Sequence, residues 1–179
     1  MAHAAIALCL LIASAAAAIE LPKAPEGFGW HEVPAIRAAF LVPKGWHVRE
    51  QRDGDKLAVF ITQEAFTPPQ PFEVGATINV FRNDPGAPER VKRTLEKLAS
   101  AHSVELRRGS SAGAFAILAC QFESPREGKE PIRAHAMGIA NAETNTAYLV
   151  FFESPASRWD ASWAKGKTIL GMLALESGI

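Results

Sequence analysis

Residues 74–81 show a regular alternation of apolar and other side chains. Val74, Ala76, Ile78 and Val80 alternate with Gly75, Thr77, Asn79 and Phe81. Because successive side chains of a β-strand point to opposite faces of a sheet, this pattern predicts a strand with one face in the core. Such a strand is stable only within a sheet that packs against a second layer, so the pattern constrains the fold of the whole chain.

Further strand-like runs lie on both sides of this segment. We predict strands over residues 37–42, 46–51, 56–63, 104–108, 114–123, 132–139 and 146–153. Turn-forming residues separate several of them, among them Pro43-Lys44-Gly45 and Asp53-Gly54. Residues 19–36 are rich in Pro and Gly, and we predict that this segment is irregular.

Two helices are predicted as well. Pro88 is suited to the first turn of a helix, where its missing N–H costs nothing. Apolar residues at helical spacing follow it: Val91, Leu95 and Leu98. Near the end of the chain, Ser157 and Asp160 have the spacing of a capping box and predict the start of a second helix. The strands on both sides of the first helix predict an α+β fold, with a largely antiparallel sheet flanked by helices.

The first residues of the chain form an apolar segment. Residues 1–18 contain no Lys, Arg, Asp or Glu, and they end in Ala16-Ala17-Ala18. Small residues after an apolar stretch are typical of a signal-peptidase site, so we predict a signal peptide over 1–18 and a single α+β domain over 19–179. We therefore expect a periplasmic or secreted protein with no stable membrane anchor after cleavage. The alternatives are a retained anchor, because no basic residue precedes the apolar stretch, and a lipid on Cys9.

Charge and cysteine content exclude several classes of protein. The chain has 19 Lys and Arg against 19 Asp and Glu, which gives a formal net charge of zero. Binding to nucleic acid or to an anionic membrane surface requires an excess of cations, so we predict neither. Cys120 is the only cysteine after the apolar segment, so the domain has no internal disulfide. Its apolar neighbours predict a small, buried side chain.

Two motifs resemble signatures of chemistry but lack the context that the chemistry requires. Residues 161–168 fit a relaxed P-loop, yet they are predicted to lie inside a helix. Residues 109–113 fit a nucleophile elbow around Ser111, yet they connect two strands instead of a strand and a helix. No His lies at metal-ligand spacing from another His or a Cys. We therefore predict no enzymatic activity, no cofactor, no nucleotide and no metal, with a small hydrolase as an alternative.

The segment 64–72 is the strongest candidate for a binding site. It carries Phe66 and Phe72 among three prolines, which restrict the backbone and lower the entropic cost of binding a partner. Trp46 and His47, which directly follow the turn Pro43-Lys44-Gly45, add another aromatic residue and a histidine. The predicted partner-binding residues are Trp46, His47, Phe66, Pro68, Pro69 and Phe72. The alternative is that both Phe rings fold back and cover the sheet.

Residues 40–46 (FLVPKGW) resemble the opening of the PsbP/Mog1-like proteins, in which a strand, Pro-x-Gly-Trp and a second strand follow one another. The resemblance extends over about residues 35–175, through the hairpin strands, the middle helix and the aromatic start of the last helix. It implies a PsbP-like α/β/α sandwich and an exported bacterial member of the family.

The family that the chain resembles consists of non-catalytic modules. The plant and cyanobacterial proteins associate with photosystem II, and the yeast protein binds a small GTPase. The resemblance therefore implies a non-enzymatic binding or accessory module that acts on a protein or a complex in the cell envelope. A small-molecule or lipid carrier, with a cavity between helix and sheet, is the alternative.

The signal-peptide prediction can be tested directly. When the full chain is expressed in a host with an export pathway, we expect the accumulated protein to begin near Ile19, because the small residues before it are accepted by the peptidase. Intact-mass measurement and N-terminal sequencing of each cell fraction check this. Recovery of the uncleaved chain from the cytosol would refute the prediction.

Overall fold

The computed structural model describes residues 21–54, 56–67, 70–109 and 115–175. The predicted signal peptide, residues 1–18, lies outside this part of the chain. So do Pro68, Pro69 and Ser111.

Strands make up most of the regular structure. In chain order the elements are β1 Phe28–Val33, a 3-10 turn Pro34–Ile36, β2 Ala38–Pro43, β3 His47–Asp53, β4 Lys56–Thr62, β5 Gly75–Phe81, α1 Ala87–Ala101, β6 Arg107–Gly109, β7 Phe115–Arg126, β8 Lys129–Asn141, β9 Thr146–Pro155, a second 3-10 turn Ala156–Arg158, and α2 Trp159–Gly171. Neither described helix is long and apolar enough to cross a bilayer.

Seven strands form one sheet in the order β3-β4-β5-β9-β8-β7-β6, and β1 and β2 form a separate hairpin. Every neighbouring pair in the large sheet is antiparallel. Short turns connect β3 to β4, β7 to β8 and β8 to β9, as is common for antiparallel neighbours. The α+β prediction, with a largely antiparallel sheet flanked by helices, is confirmed.

The turn at residues 43–46 moves the chain from one layer to another. Gly45 adopts a positive φ of 79°, a conformation that other residues rarely adopt. The Trp46 N–H donates to the Pro43 carbonyl at 3.0 Å. The strands on either side of this turn do not pair with each other, because β2 pairs with β1 and β3 pairs with β4. The turn therefore joins the hairpin to the edge of the large sheet.

One face of the large sheet carries the main core, and we call it the core face. Val59, Ile78, Val150 and Phe152 on this face are completely buried. The hairpin β1–β2 and the helix α2 pack over it. The hairpin is fastened by the segment after α2, since Ala39 and Ala174 exchange backbone hydrogen bonds of 2.9 and 3.1 Å. This layer excludes water from the centre of the sheet.

The opposite face, which we call the outer face, is covered by α1 over β7, β8 and β9. Leu95 of α1 and Cys120 of β7 lie in one buried cluster on this face, and the predicted burial of Cys120 is confirmed. Gly138 of β8 lies directly beneath the helix. A Cβ added there would come within 2.6 Å of Val91 Cγ1 and 2.7 Å of Leu95 Cδ1. The helix therefore approaches the sheet backbone as closely as van der Waals contact allows.

Three local predictions are corrected by the structure. Part of the segment predicted to be irregular forms β1, because Phe28–Val33 pairs with β2 along its whole length. The run predicted as a strand over 104–108 pairs only at Arg107–Gly109. The predicted capping box is wrong: α2 begins at Trp159 with no side-chain cap, and the Ser157 N–H donates to the Glu130 carboxylate instead.

The close approach at Gly138 predicts a stability effect. We expect Gly138→Ala to lower the free energy of unfolding by about 1–3 kcal/mol, because the new methyl group must displace buried side chains of α1. Gly29→Ala is the matched control, since Gly29 also lies in a strand and has no neighbouring atom within 4 Å of an added Cβ. Urea unfolding of both variants checks the prediction, and equal stability would contradict it.

Burial of His135 predicts a pH effect. The ring lies 4.7 Å from the ring of Trp163, and burial lowers the pKa of His135. The unfolded chain then binds a proton more readily than the folded chain, so the folded state loses stability as the pH falls below about 6.5.

We expect His135→Gln to reduce the loss of stability between about pH 7.5 and 5.5, where the ordinary histidine pKa lies. His47→Gln is the control, because it removes an exposed imidazole instead of a half-buried one. Urea unfolding across this pH range checks the prediction. A dependence that is the same in wild type and in His135→Gln would refute it.

Candidate functional site

Three phenylalanine rings lie in a row of contacts at one end of β4, with Phe66 in the middle. The ring centroid of Phe66 lies 5.2 Å from that of Phe60 and 5.5 Å from that of Phe72, both in edge-to-face geometry. All three side chains are half-buried. Each edge-to-face pair of this kind stabilises the folded protein by about 0.5–1.5 kcal/mol, in addition to the free energy gained by burying apolar area. We call Phe60, Phe66 and Phe72 the phenylalanine patch.

The loop that carries Phe66 and Phe72 is fastened at its base. The Gln63 N–H donates to the Val74 carbonyl at 2.9 Å, which extends the pairing of β4 with β5. The Glu64 carboxylate accepts the N–H groups of Glu73 and of Val74, the latter at 3.2 Å. The Thr62 hydroxyl donates to the Glu64 carbonyl at 2.7 Å. These bonds hold both ends of the loop against the sheet.

The patch lies on the outer face, beyond the strands that α1 covers. On this face Ala58, Thr77 and Asn79 are only half-buried. The residues that alternate with them on the core face, Val59 and Ile78, are completely buried. The outer face is therefore more exposed on β4 and β5 than the core face of the same strands.

Strand register extends the apolar surface toward the middle of the sheet. Phe60, Thr77 and Phe151 lie side by side across β4, β5 and β9. Arg49 of β3 lies on the other side of Phe60 and is exposed. The patch thus has an aromatic centre with a charged strand along one margin.

The predicted site residues are only partly brought together. His47 pairs in register with Thr62, so it shares the outer face with the patch and lies exposed near it. Trp46 instead packs against the core cluster, and the Lys165 ammonium lies 5.5 Å from its ring centroid. Trp46 therefore belongs with α2 on the core side of the sheet. Pro68 and Pro69 lie outside the described residues.

The structure bears on the alternative, in which both Phe rings fold back and cover the sheet. Phe66 does fold back onto the sheet, because its ring contacts Phe60 of β4. It remains half-buried all the same, as does Phe72. Phe60 is not among the predicted partner-binding residues. The signal for it was the apolar run of residues 56–63, which has apolar residues on both faces of a strand near a sheet edge.

The structure bears on two kinds of reactive group, namely metal ligands and the Cys120 thiol. No group of three or more His, Cys, Asp or Glu in this part of the chain could hold a metal ion. Burial raises the pKa of the Cys120 thiol. Cys120 pairs with Ala136, and Gln121 pairs with His135, so the thiol and the imidazole lie on opposite faces of the sheet. The hydrolase alternative rests on Ser111 or on a cluster of His and Glu assembled in space, and Ser111 lies outside the described residues.

The carrier alternative requires a cavity between helix and sheet. At Gly138, the side chains of Val91 and Leu95 contact the sheet directly. On the core face, a Cβ at Gly166 of α2 would come within 2.8 Å of Phe152. Both helices therefore approach the sheet too closely at these points for a ligand to lie beneath them.

No protein-family model and no curated protein matches the sequence. Solved structures do match. The solution structure of cyanobacterial PsbP (CyanoP) from Synechocystis is 9% identical, with a TM-score of 0.50, over 83% of this chain and 92% of that chain. The Ran-binding protein Mog1p of Saccharomyces cerevisiae is 9% identical, with a TM-score of 0.48, over 83% of this chain and 95% of that chain.

A crystal structure from Bacteroides thetaiotaomicron is 11% identical, with a TM-score of 0.48, over 79% of this chain. The alignment spans 46% of that protein, which is less than half of its length. At these identities the comparisons concern the fold alone. The match to CyanoP extends over nearly all of that protein and agrees with the predicted resemblance. The chain has a PsbP/Mog1-like fold.

Proposed function

We propose that the protein is a non-enzymatic binding or accessory module that is exported and acts on a protein or a complex in the periplasm or cell envelope. The phenylalanine patch is the observation that carries the proposal. Its rings are half-buried, lie beside an incompletely covered part of the sheet, and belong in part to a loop that is fastened at both ends. We assign the partner-binding role to Phe60, Phe66, Phe72 and the adjacent His47.

The physical properties of the patch suit a protein partner. Aromatic side chains are enriched at the centres of protein interfaces, where they bury a large area at a small cost in entropy. Because Phe66 and Phe72 already contact other rings, little conformational freedom is lost when a partner covers them. Arg49 and His47 supply a polar margin. The matching surface would be an apolar patch of a folded protein, with polar groups around it.

The non-enzymatic part of the proposal is supported by the arrangement of the reactive side chains. Cys120 is buried, and its side chain and that of His135 point to opposite faces of the sheet. The resemblance to non-catalytic PsbP/Mog1-like modules agrees with this arrangement. Export is supported by residues 1–18, whose apolar composition and terminal alanines are those of a signal peptide.

Substitution in the loop tests the proposal. We expect Phe66→Ala with Phe72→Ala to reduce recovery of the partner about tenfold or more, because the centre of the interface is lost. The cost to folding should stay below the roughly 3–5 kcal/mol typical of a fully buried Phe, since both rings are half-buried. Quantitative co-purification from the native envelope, followed by titration of the identified partner, measures the effect.

Phe81→Ala is the matched control. Phe81 is also half-buried and lies on the outer face, but at the opposite end of β5, where its ring is 6.0 Å from the Arg90 guanidinium. This variant should lose some stability and still bind the partner. If the double variant is folded and its affinity for the partner equals that of wild type, the phenylalanine patch is not the binding site.

A further inference from the structure

Glu153 of β9 presents a carboxylate on the outer face of the large sheet. Strand register fixes this position, because Glu153 pairs with Gly75 of β5 and with Ala134 of β8. The Ala134 side chain belongs to the buried cluster on the outer face, so Glu153 points to that face as well. Phe151, two residues earlier on β9, lies on the same face, in the row across the sheet that contains Phe60. Glu153 thus lies one row beyond this aromatic row, near the phenylalanine patch.

Helix α1 crosses the sheet obliquely, which leaves the carboxylate accessible. The first turn of the helix packs on β9, where Ala87 and Ala147 share a cluster. The last turn packs on β7, where Ala99 and Phe122 share another. Glu153 lies at the end of β9 that is farther from Ala147, where the helix has already passed to the neighbouring strands. The side chain of Glu153 is consequently half-buried and not enclosed.

Among the described residues, the Glu153 carboxylate has no bonded partner. Its neighbours on the adjacent strands are a glycine and an alanine, which have no polar side chain. No hydrogen bond or ion pair to this carboxylate forms within the described ranges. Burial raises the pKa of Glu153, and the Arg126 guanidinium opposes this shift only in part. The Arg126 side chain donates instead to the Glu130 carbonyl at 2.8 Å. The folded chain thus holds a carboxylate that has lost part of its hydration without a bond that compensates for it.

Glu64 shows what a half-buried carboxylate does when it stabilises the fold. It accepts the N–H groups of Glu73 and Val74 and thereby closes the base of the loop over residues 64–72. Glu153 makes no bond of this kind within the described part of the chain. An ionisable group that is kept half-buried at a cost to stability is typical of a functional site.

We propose that Glu153 binds a Lys or Arg side chain of the protein partner that covers the phenylalanine patch. This inference rests on the proposed function and adds the chemistry of the partner's surface. Phe151 lies about 7 Å along the same strand, so a cation at Glu153 would also approach an aromatic ring. A neutral or acidic group of the partner would leave the carboxylate covered and unpaired, which is strongly unfavourable.

The charges at the two margins of the patch give the partner an orientation. Arg49 lies beside Phe60 on β3, and Glu153 lies three strands away on β9. At about 4.8 Å per strand, the two residues lie about 14 Å apart across the sheet. We expect the partner to place an acidic group over Arg49, apolar side chains over the phenylalanine rings and a cation over Glu153. The opposite orientation would bring like charges together at both margins.

Two capped dipeptides test the cation site: acetyl-Phe-Lys-amide, and acetyl-Phe-norleucine-amide, which lacks the ammonium group. Each is titrated into the isotope-labelled protein while the backbone amide signals are followed by NMR. We expect the Lys peptide to bind about fivefold more tightly than the norleucine peptide and to shift the signals of Phe151 and Glu153. In Glu153→Gln the two peptides should bind equally, because the variant has no charge for the ammonium group to meet.

The stability of the same variant separates a binding role from a structural one. We expect Glu153→Gln to raise the midpoint of urea unfolding at about pH 7.5, because the amide replaces a carboxylate whose ionisation disfavours the folded chain. A residue that stabilises the fold would have the opposite effect. Glu123→Gln is the matched control, since Glu123 is exposed, lies on the core face and lies 3.3 Å from the Arg133 guanidinium. This control should not raise the midpoint, and it should keep the preference for the Lys peptide.

The outcomes distinguish this inference from the proposed function. The cation site is overturned by no binding of the Lys peptide, by equal binding of the two peptides to wild type, by an undiminished preference in Glu153→Gln, or by a lower urea midpoint in that variant. The proposed function still stands if Phe66→Ala with Phe72→Ala loses the co-purified partner. If that double variant keeps the partner, the proposed function fails, and a preference for the Lys peptide that Glu153→Gln removes still supports the cation site.

Discussion

The width of a helix limits how much of a large sheet it can cover. An α-helix with its side chains is about 10 Å across, whereas seven strands at a spacing of about 4.8 Å form a sheet about 30 Å wide. The core face is covered by a helix and a hairpin together, but on the outer face α1 packs over β7, β8 and β9. The greater exposure of β4 and β5 on that face follows from this difference in area.

The place where α1 packs is set by small residues on β8. The outer-face positions of this strand are Ala134, Ala136, Gly138 and Ala140. They form a shallow trough in which the helix comes close to the backbone, and Leu95 fills it. The corresponding positions of β4 and β5 include Phe60 and Asn79, which leave no comparable trough. The small side chains of β8 thus position α1, and the larger side chains of β4 and β5 lie beyond the helix, which leaves Phe60 only partly covered.

Much of this architecture could be predicted from local patterns. The alternation in β5 and the apolar stripe after Pro88 predict a strand and a helix that the structure contains. What local patterns do not encode is pairing between distant segments. The residues of β1 lie in a segment rich in Pro and Gly, which predicts irregular structure, and they form a strand through their pairing with β2. The prolines of residues 64–72 predict the loop that carries Phe66 and Phe72. Trp46 lies on the core side of the sheet, away from this loop, and the local sequence does not show which face of the sheet each residue occupies.

The backbone pairing of Ala39 with Ala174 has a consequence for how the chain folds. It joins a strand near the beginning of the described chain to residues near its end. Contacts between such distant segments form slowly, because a long loop must close before they are gained. The core face therefore cannot be completed until the chain has been synthesised as far as Ala174, and until then its apolar residues stay accessible to chaperones that bind nascent chains.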